Sequence, residues 1–98
     1  MVSNPSLSLR VDGDTCYLAG VIDFSTAPTL LTDVAEQFEA NRAVTVDFSS
    51  VEHANSAALA VLLQWKEQAA EKGCTVNHQN LPDSIRQLSE ICQVSALI

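Results

Sequence analysis

Positive charge is scarce in this chain of 98 residues: five Lys and Arg stand against twelve Asp and Glu, a net charge of −7. A nucleic-acid backbone or an anionic membrane surface is therefore excluded as an expected ligand, and a basic patch on a protein partner fits better. Glycine is nearly as rare. Gly13, Gly20 and Gly73 are isolated, so no glycine-rich phosphate loop exists. Cys16, Cys74 and Cys92 form no close pair and leave an odd count, which suits buried or free thiols in a reducing compartment rather than a disulfide framework. His53 and His78 lie in different segments, with no Cys or second His at ligand spacing, so neither a metal nor any other cofactor is expected. The chain lacks the roughly 18 continuous apolar residues that a membrane span needs. Met1-Val2-Ser3-Asn4-Pro5 has neither a basic flank nor an apolar run behind it. No signal peptide is read there, and the cytoplasm is the expected compartment.

What the chain does have is apolar content, 47%, in a length that suits one domain spanning residues 1–98. At this size folding hides roughly 60–65% of the unfolded surface, enough for a layered core without staples. Ser6–Val11 alternates apolar and polar residues as a half-buried strand does. Asp12-Gly13-Asp14 reads as a tight hairpin turn, and Thr15–Ile22 as the antiparallel second strand. Ser25 and Thr26 are good N-caps with Pro28 in the first turn behind them. Ala27, Leu30, Leu31, Val34 and Phe38 then recur at helical steps, predicting an amphipathic helix that ends near Ala40-Asn41. Ala43–Phe48 is a third strand, Ala57–Lys72 a second helix closed by Gly73, and Cys74–Gln79 a fourth strand. Pro82 opens a last helix with Leu81, Ile85, Leu88 and Cys92 on one face, and Val94, Leu97 and Ile98 are expected to cover a core edge. The order β-β-α-β-α-β-α implies an α/β fold: a mixed four-stranded sheet with about three helices and right-handed crossovers.

Little of this points to catalysis. Ser56, His53 and Asp47 make a triad only on paper, because Ser56 stands in no G-x-S-x-G elbow. Both histidines read as surface or half-buried polar residues, and no enzyme activity is expected. The junction before the second helix says more. Asn55 is among the best N-cap residues, which leaves Ser56 as the first helical residue with its hydroxyl pointing out of the sheet's end. That hydroxyl is either a plain helix-start residue or a contact, and a phosphoryl group there would be favoured by the helix dipole. In the helix that follows, Leu59, Leu62, Leu63 and Ala70 are expected against the sheet. Ala58, Val61, Trp65 and Ala69 widen the apolar arc, and Lys66 projects within it with its ammonium reaching water. Trp65 either packs on a neighbouring helix or anchors a partner.

Three stretches, Gly20–Leu30 (GVIDFSTAPTL), Val46–Leu59 (VDFSSVEHANSAAL) and Ala69–Gly73 (AAEKG), resemble the STAS domain family over nearly the whole chain. That family includes anti-sigma factor antagonists, cytoplasmic tails of sulphate transporters and the small B component of the Mla lipid transporter. Its most specific element follows D-[LF]-S-x-V and stands here as Asn55-Ser56-Ala57-Ala58-Leu59. In the antagonists the usual run is Asp-Ser-Ser-Gly-Leu, and a partner kinase phosphorylates the serine matching Ser56. Here Asn55 replaces the acidic residue and Ala57-Ala58 replaces Ser-Gly, while Asp23 matches the acidic residue after the second strand. In the lipid-transport branch a free-standing domain binds the ATPase of an ABC transporter through the same helix start, and Leu59–Trp65 (LAVLLQW) resembles its L-A-x-L-L pattern. The resemblance thus implies a STAS-type subunit that docks Asn55 and Ser56, with Asp23, Phe24 and His53 nearby, onto the ATPase of a phospholipid-trafficking transporter. The alternative it implies is an antagonist that sequesters an anti-sigma factor kinase until Ser56 is phosphorylated.

Overall fold

A computed structural model describes residues 6–98; Met1–Pro5, where no signal peptide was read, lie outside the described residues. The strands are β1 (Leu7–Asp12), β2 (Thr15–Ile22), β3 (Ala43–Ala54) and β4 (Thr75–Gln79). The helices are α1 (Ala27–Ala35), α2 (Ser56–Lys72) and α3 (Asp83–Ile91), and a 3-10 turn at Ser95–Leu97 follows. The four strands lie in the order β1-β2-β3-β4, with β1 antiparallel to β2 and the two later pairings parallel. β2, β3 and β4 are parallel neighbours in sequence order, and the helices that connect them, α1 and α2, pack side by side over a shared core. The expected α/β architecture and element order are those observed.

The core lies between the sheet and the helices. Cys16, Leu18 and Ile22 from β2 and Val44, Val46 and Phe48 from β3 are buried against Leu30, Val34, Leu62 and Trp65. Gly13 turns the β1–β2 hairpin at φ 61°, as its sequence required, with Asp12 and Thr15 paired across it. Gly73 ends α2 at φ 72°. Its N–H donates to Ala70 O and that of Cys74 to Ala69 O, so the last carbonyls of the helix are satisfied by a glycine-closed double cap.

Several boundaries differ from expectation, each for a local reason. Helix α1 stops at Ala35: the amides of Gln37 and Phe38 bond three residues back, tightening the turn and burying Phe38, which is 4% exposed. Strand β3 runs to Ala54 instead of Phe48, because its polar second half still pairs with β2 through Ile22↔Ala54. Ala70 is exposed on α2 and Leu63 only half-buried. Cys92 is exposed rather than core-facing, since α3 ends at Ile91 and Gln93 adopts φ 60°. Ser89 occupies the buried position on that helix, its hydroxyl donating to Arg86 O. Leu97 is likewise exposed, while Val94 and Ile98 pack partly on the core.

Lys66 does more than reach water. Its Nζ donates to Val76 O at 2.7 Å. The Thr75 amide donates to Arg42 O, toward β3, so the next residue's carbonyl points to the free edge of the sheet. The ammonium thus covers an edge acceptor that another strand would otherwise find. Lys66→Met, which keeps the apolar stem, is expected to give species whose mass by light scattering grows with concentration beyond that of the wild type. Identical masses at every concentration would remove the edge-guarding role.

Candidate partner-docking corner

The parallel pairing of β2 and β3 brings two chain exits together. Ile22 lies beside Ala54, and the Asn55 amide donates to Ile22 O at 3.1 Å. From one exit the chain runs through Asp23, Phe24, Ser25 and Thr26 into α1; from the other it passes Asn55 into α2. The residues expected to form a site, Asp23, Phe24, His53, Asn55 and Ser56, therefore share one end of the sheet.

Each turn is held by its own polar side chain. At the first, Asp23 Oδ1 accepts from the Ser25 hydroxyl (2.7 Å), the Ser25 amide (2.9 Å) and the Thr26 amide (3.0 Å). The Ser25 hydroxyl, and after it the Thr26 amide, hold the Asp23 pKa below the ordinary carboxylate value, so the group is an anion at neutral pH. It faces the first turn of α1, where the helix dipole favours negative charge. The expected cap, Thr26, occupies the N-cap position but makes no capping bond with its side chain. Its buried hydroxyl accepts from the Asp23 amide and donates to Val21 O, fastening the loop to the end of β2. At the second turn Asn55 Oδ1 accepts from the Ala57 amide at 2.8 Å, the cap read from the sequence.

Ser56 is the first residue of α2 and is exposed. Among the described residues no hydrogen bond engages its hydroxyl. His53 is exposed as well and lies opposite Val21 in the ladder. The paper triad does not assemble: the buried Asp47 carboxylate accepts from the Ser49 amide and the Asn80 side-chain amide, and it touches neither His53 nor Ser56. His78, half-buried on β4, has its pKa lowered first by burial and then by Lys66, so it is neutral at pH 7. No cluster of three or more His, Cys, Asp or Glu able to hold a metal occurs among the described residues.

Next to this corner lies a feature that sequence reasoning missed. Phe24, Ala27 and Leu31 on one side and Ala57, Ala60 and Val61 on the other line an apolar groove of about 360 Å³ between α1 and α2. Phe24 stands at it 72% exposed, unusual for so large an apolar side chain. Alanines at positions 27, 57 and 60 are too small to fill the space between the helices, and further along α2 the core holds Trp65. That side chain is 1% exposed and its Nε1 donates to Leu31 O at 3.2 Å, so tryptophan packs between helices and is not a partner anchor. The wide apolar arc of α2 was the available signal. Which part of it stays uncovered depends on where α1 lies, and the spacing along α2 does not say.

The chain is thus a mixed four-stranded sheet backed by helices, with an exposed serine at the start of the helix after the third strand. The chain belongs to the STAS domain family: the family model described as Mlab, STAS domain matches residues 7–98. Among solved structures, a chain of the Acinetobacter MlaFEDB complex in its ATP-bound Vtrans1 conformation is similar at 26% identity and a TM-score of 0.63, over 87% of this chain and 90% of that one. The anti-sigma factor antagonist SpoIIAA in its unphosphorylated form shares the fold at a TM-score of 0.61 and 14% identity, over 93% and 84% of the two chains. An anti-sigma factor antagonist from Mycobacterium paratuberculosis does so at 0.59 and 22%, over 94% and 86%. No curated protein matches the chain by sequence. No described helix is long and apolar enough to cross a membrane.

Proposed function

We propose that this chain is a non-enzymatic STAS subunit that docks its Ser56 corner onto the ATPase of a phospholipid-trafficking ABC transporter of the lipid-asymmetry type, and so stabilises an active ATPase assembly. It would act in the cytoplasm, held at the inner membrane only through that complex. The observation that carries the reading is the free, exposed Ser56 hydroxyl at the start of α2, next to an uncovered apolar groove. The likeness to a chain of the MlaFEDB complex supports the choice of partner. Asn55 and Asp23 fix the two turns, so the surface is preorganised and association orders few side chains. Shape and apolar contact would supply the affinity, and the net charge of −7 would favour approach to a basic patch.

Co-expression with the transporter ATPase tests this. Ser56→Arg places a bulky side chain on an exposed site, so its stability should stay within about 0.5 kcal/mol of the wild type. Recovery of the ATPase with the tagged chain should nonetheless be lost. Full recovery with a stably folded Ser56→Arg variant would place the contact elsewhere.

The same free hydroxyl favours a second reading, an anti-sigma factor antagonist switched by phosphorylation, because α2's positive end would stabilise a phosphoryl group on Ser56. An anti-sigma factor kinase with ATP should then add one phosphoryl mass to the wild type and none to Ser56→Ala. An unmodified wild type would dismiss it.

A further inference from the structure

We infer that the groove between α1 and α2 receives one apolar side chain of the partner, presented by an element with Lys or Arg beside that anchor. The inference rests on the docking reading above and names the chemistry of the partner's side. Its shape argument is direct. The groove's walls are apolar, Phe24 extends one of them into solvent, and a volume of about 360 Å³ accommodates a large aliphatic or aromatic side chain. A partly desolvated pocket rimmed by polar residues is where binding energy concentrates in protein interfaces.

The charge argument selects what flanks the anchor. Stretches 11–41 and 43–65, which build both turns and both groove walls, contain no Lys or Arg. The chain's cations are placed elsewhere. Arg42 pairs with Asp14, Arg86 with Asp83, Arg10 stacks on Tyr17, Lys66 donates to Val76 O, and Lys72 lies in the last turn of α2. Carboxylates flank the groove's lining residues instead: Asp23 immediately before Phe24, and the exposed Glu67 one turn beyond Gln64, which closes the groove's far end. The amides that a helix start could offer to an anion are already engaged, those of Ser25 and Thr26 by Asp23 and that of Ala57 by Asn55. An anionic lipid headgroup would therefore meet carboxylates with few free donors, whereas a Lys or Arg next to the anchor meets complementary charge.

The test uses the full-length chain and the immobilised transporter ATPase, with binding rates followed in real time. Ala60→Trp fills the groove from an exposed position on α2, and Gln64→Trp does so from its far end; circular dichroism and melting check that each folds. Both should weaken binding at least tenfold. Glu67→Lys should slow association several-fold, and raising NaCl from about 50 to about 500 mM should do the same to the wild type. If folded Ala60→Trp and Gln64→Trp bind like the wild type while Ser56→Arg does not, the groove inference fails and the docking reading stands. If Ser56→Arg binds normally too, both fail. Association indifferent to salt and to Glu67→Lys would overturn the cationic flank. Binding of the wild type to phosphatidylglycerol vesicles, lost in Ala60→Trp, would overturn the inference by making the groove a lipid site.

Discussion

Replacing Trp65 with alanine is expected to remove about 3–5 kcal/mol of stability, the range for deleting a large aromatic side chain from a packed interior. The residue is 1% exposed and belongs to the core. It also ties α2 to α1 through its bond to Leu31 O, which the alanine variant would leave without this donor. A domain of this size has a total stability of about 5–15 kcal/mol, so the loss would be about a fifth of it or more. Thermal unfolding should fall by roughly 15–30 °C. Trp65→Phe refills most of the volume without the N–H donor, and should lose only about 1–2 kcal/mol. Urea and thermal melts followed by circular dichroism measure both. A shift below about 5 °C for the alanine variant would mean that the two helices are held by something else. Trp65 is the chain's single tryptophan, so its fluorescence reports the same α1–α2 packing in the wild type.

Gly20→Ala is the second large effect, with an expected loss of roughly 2–5 kcal/mol from backbone strain and overpacking together. Gly20 has φ 107°, which L side chains rarely adopt, and a Cβ there would run into the Ser6 carbonyl on the neighbouring chain segment. The collision is with backbone, which cannot swing aside as a side chain does. The β2–β3 register shifts beside this residue, between Gly20 and Val21, so the glycine accompanies an irregularity in the ladder just before β2 reaches the Asp23 turn. Gly13→Ala is the control. Gly13 also has positive φ, 61°, but a Cβ there meets nothing within 4 Å, and strain alone should cost about 1–2 kcal/mol. Urea denaturation of the two variants side by side decides the matter: if Gly20→Ala were no worse than Gly13→Ala, the collision would not be the reason for glycine at position 20.

Much of the architecture was legible because local signals agreed. The Asp12-Gly13-Asp14 turn marked where the second strand begins, and β2 is Thr15–Ile22 as read; Asn55 and Gly73 marked the two ends of α2 by chemistry that acts within a few residues. Legibility failed where a distant partner decides. The run Ser49–Ala54 lies beyond the third strand as read from the sequence, Ala43–Phe48, yet its backbone is strand because β2 lies alongside it. Phe38 continues the helical spacing of α1 but is buried by a turn. Cys92 keeps the periodicity of α3 one residue after the helix has ended. At the corner the same division holds. Asn55, Ser56 and Asp23 could be singled out from their own sequence neighbourhoods, whereas the groove exists only because Ala27 and Leu31 of one helix come to face Ala57 and Ala60 of another. Lys66 belongs to that second class too, since its acceptor is ten residues away on the edge strand.

The bond from the Asn55 amide to Ile22 O has a mechanical consequence. Residue 56 is joined almost directly to the ends of β2 and β3, and β3 is an inner strand held by β2 on one side and β4 on the other. A tug on that residue along the strand axis therefore loads the sheet in shear, with many ladder bonds resisting at once, instead of peeling them apart one after another. A partner that moves while gripping this handle would carry the whole domain with it as a stiff lever.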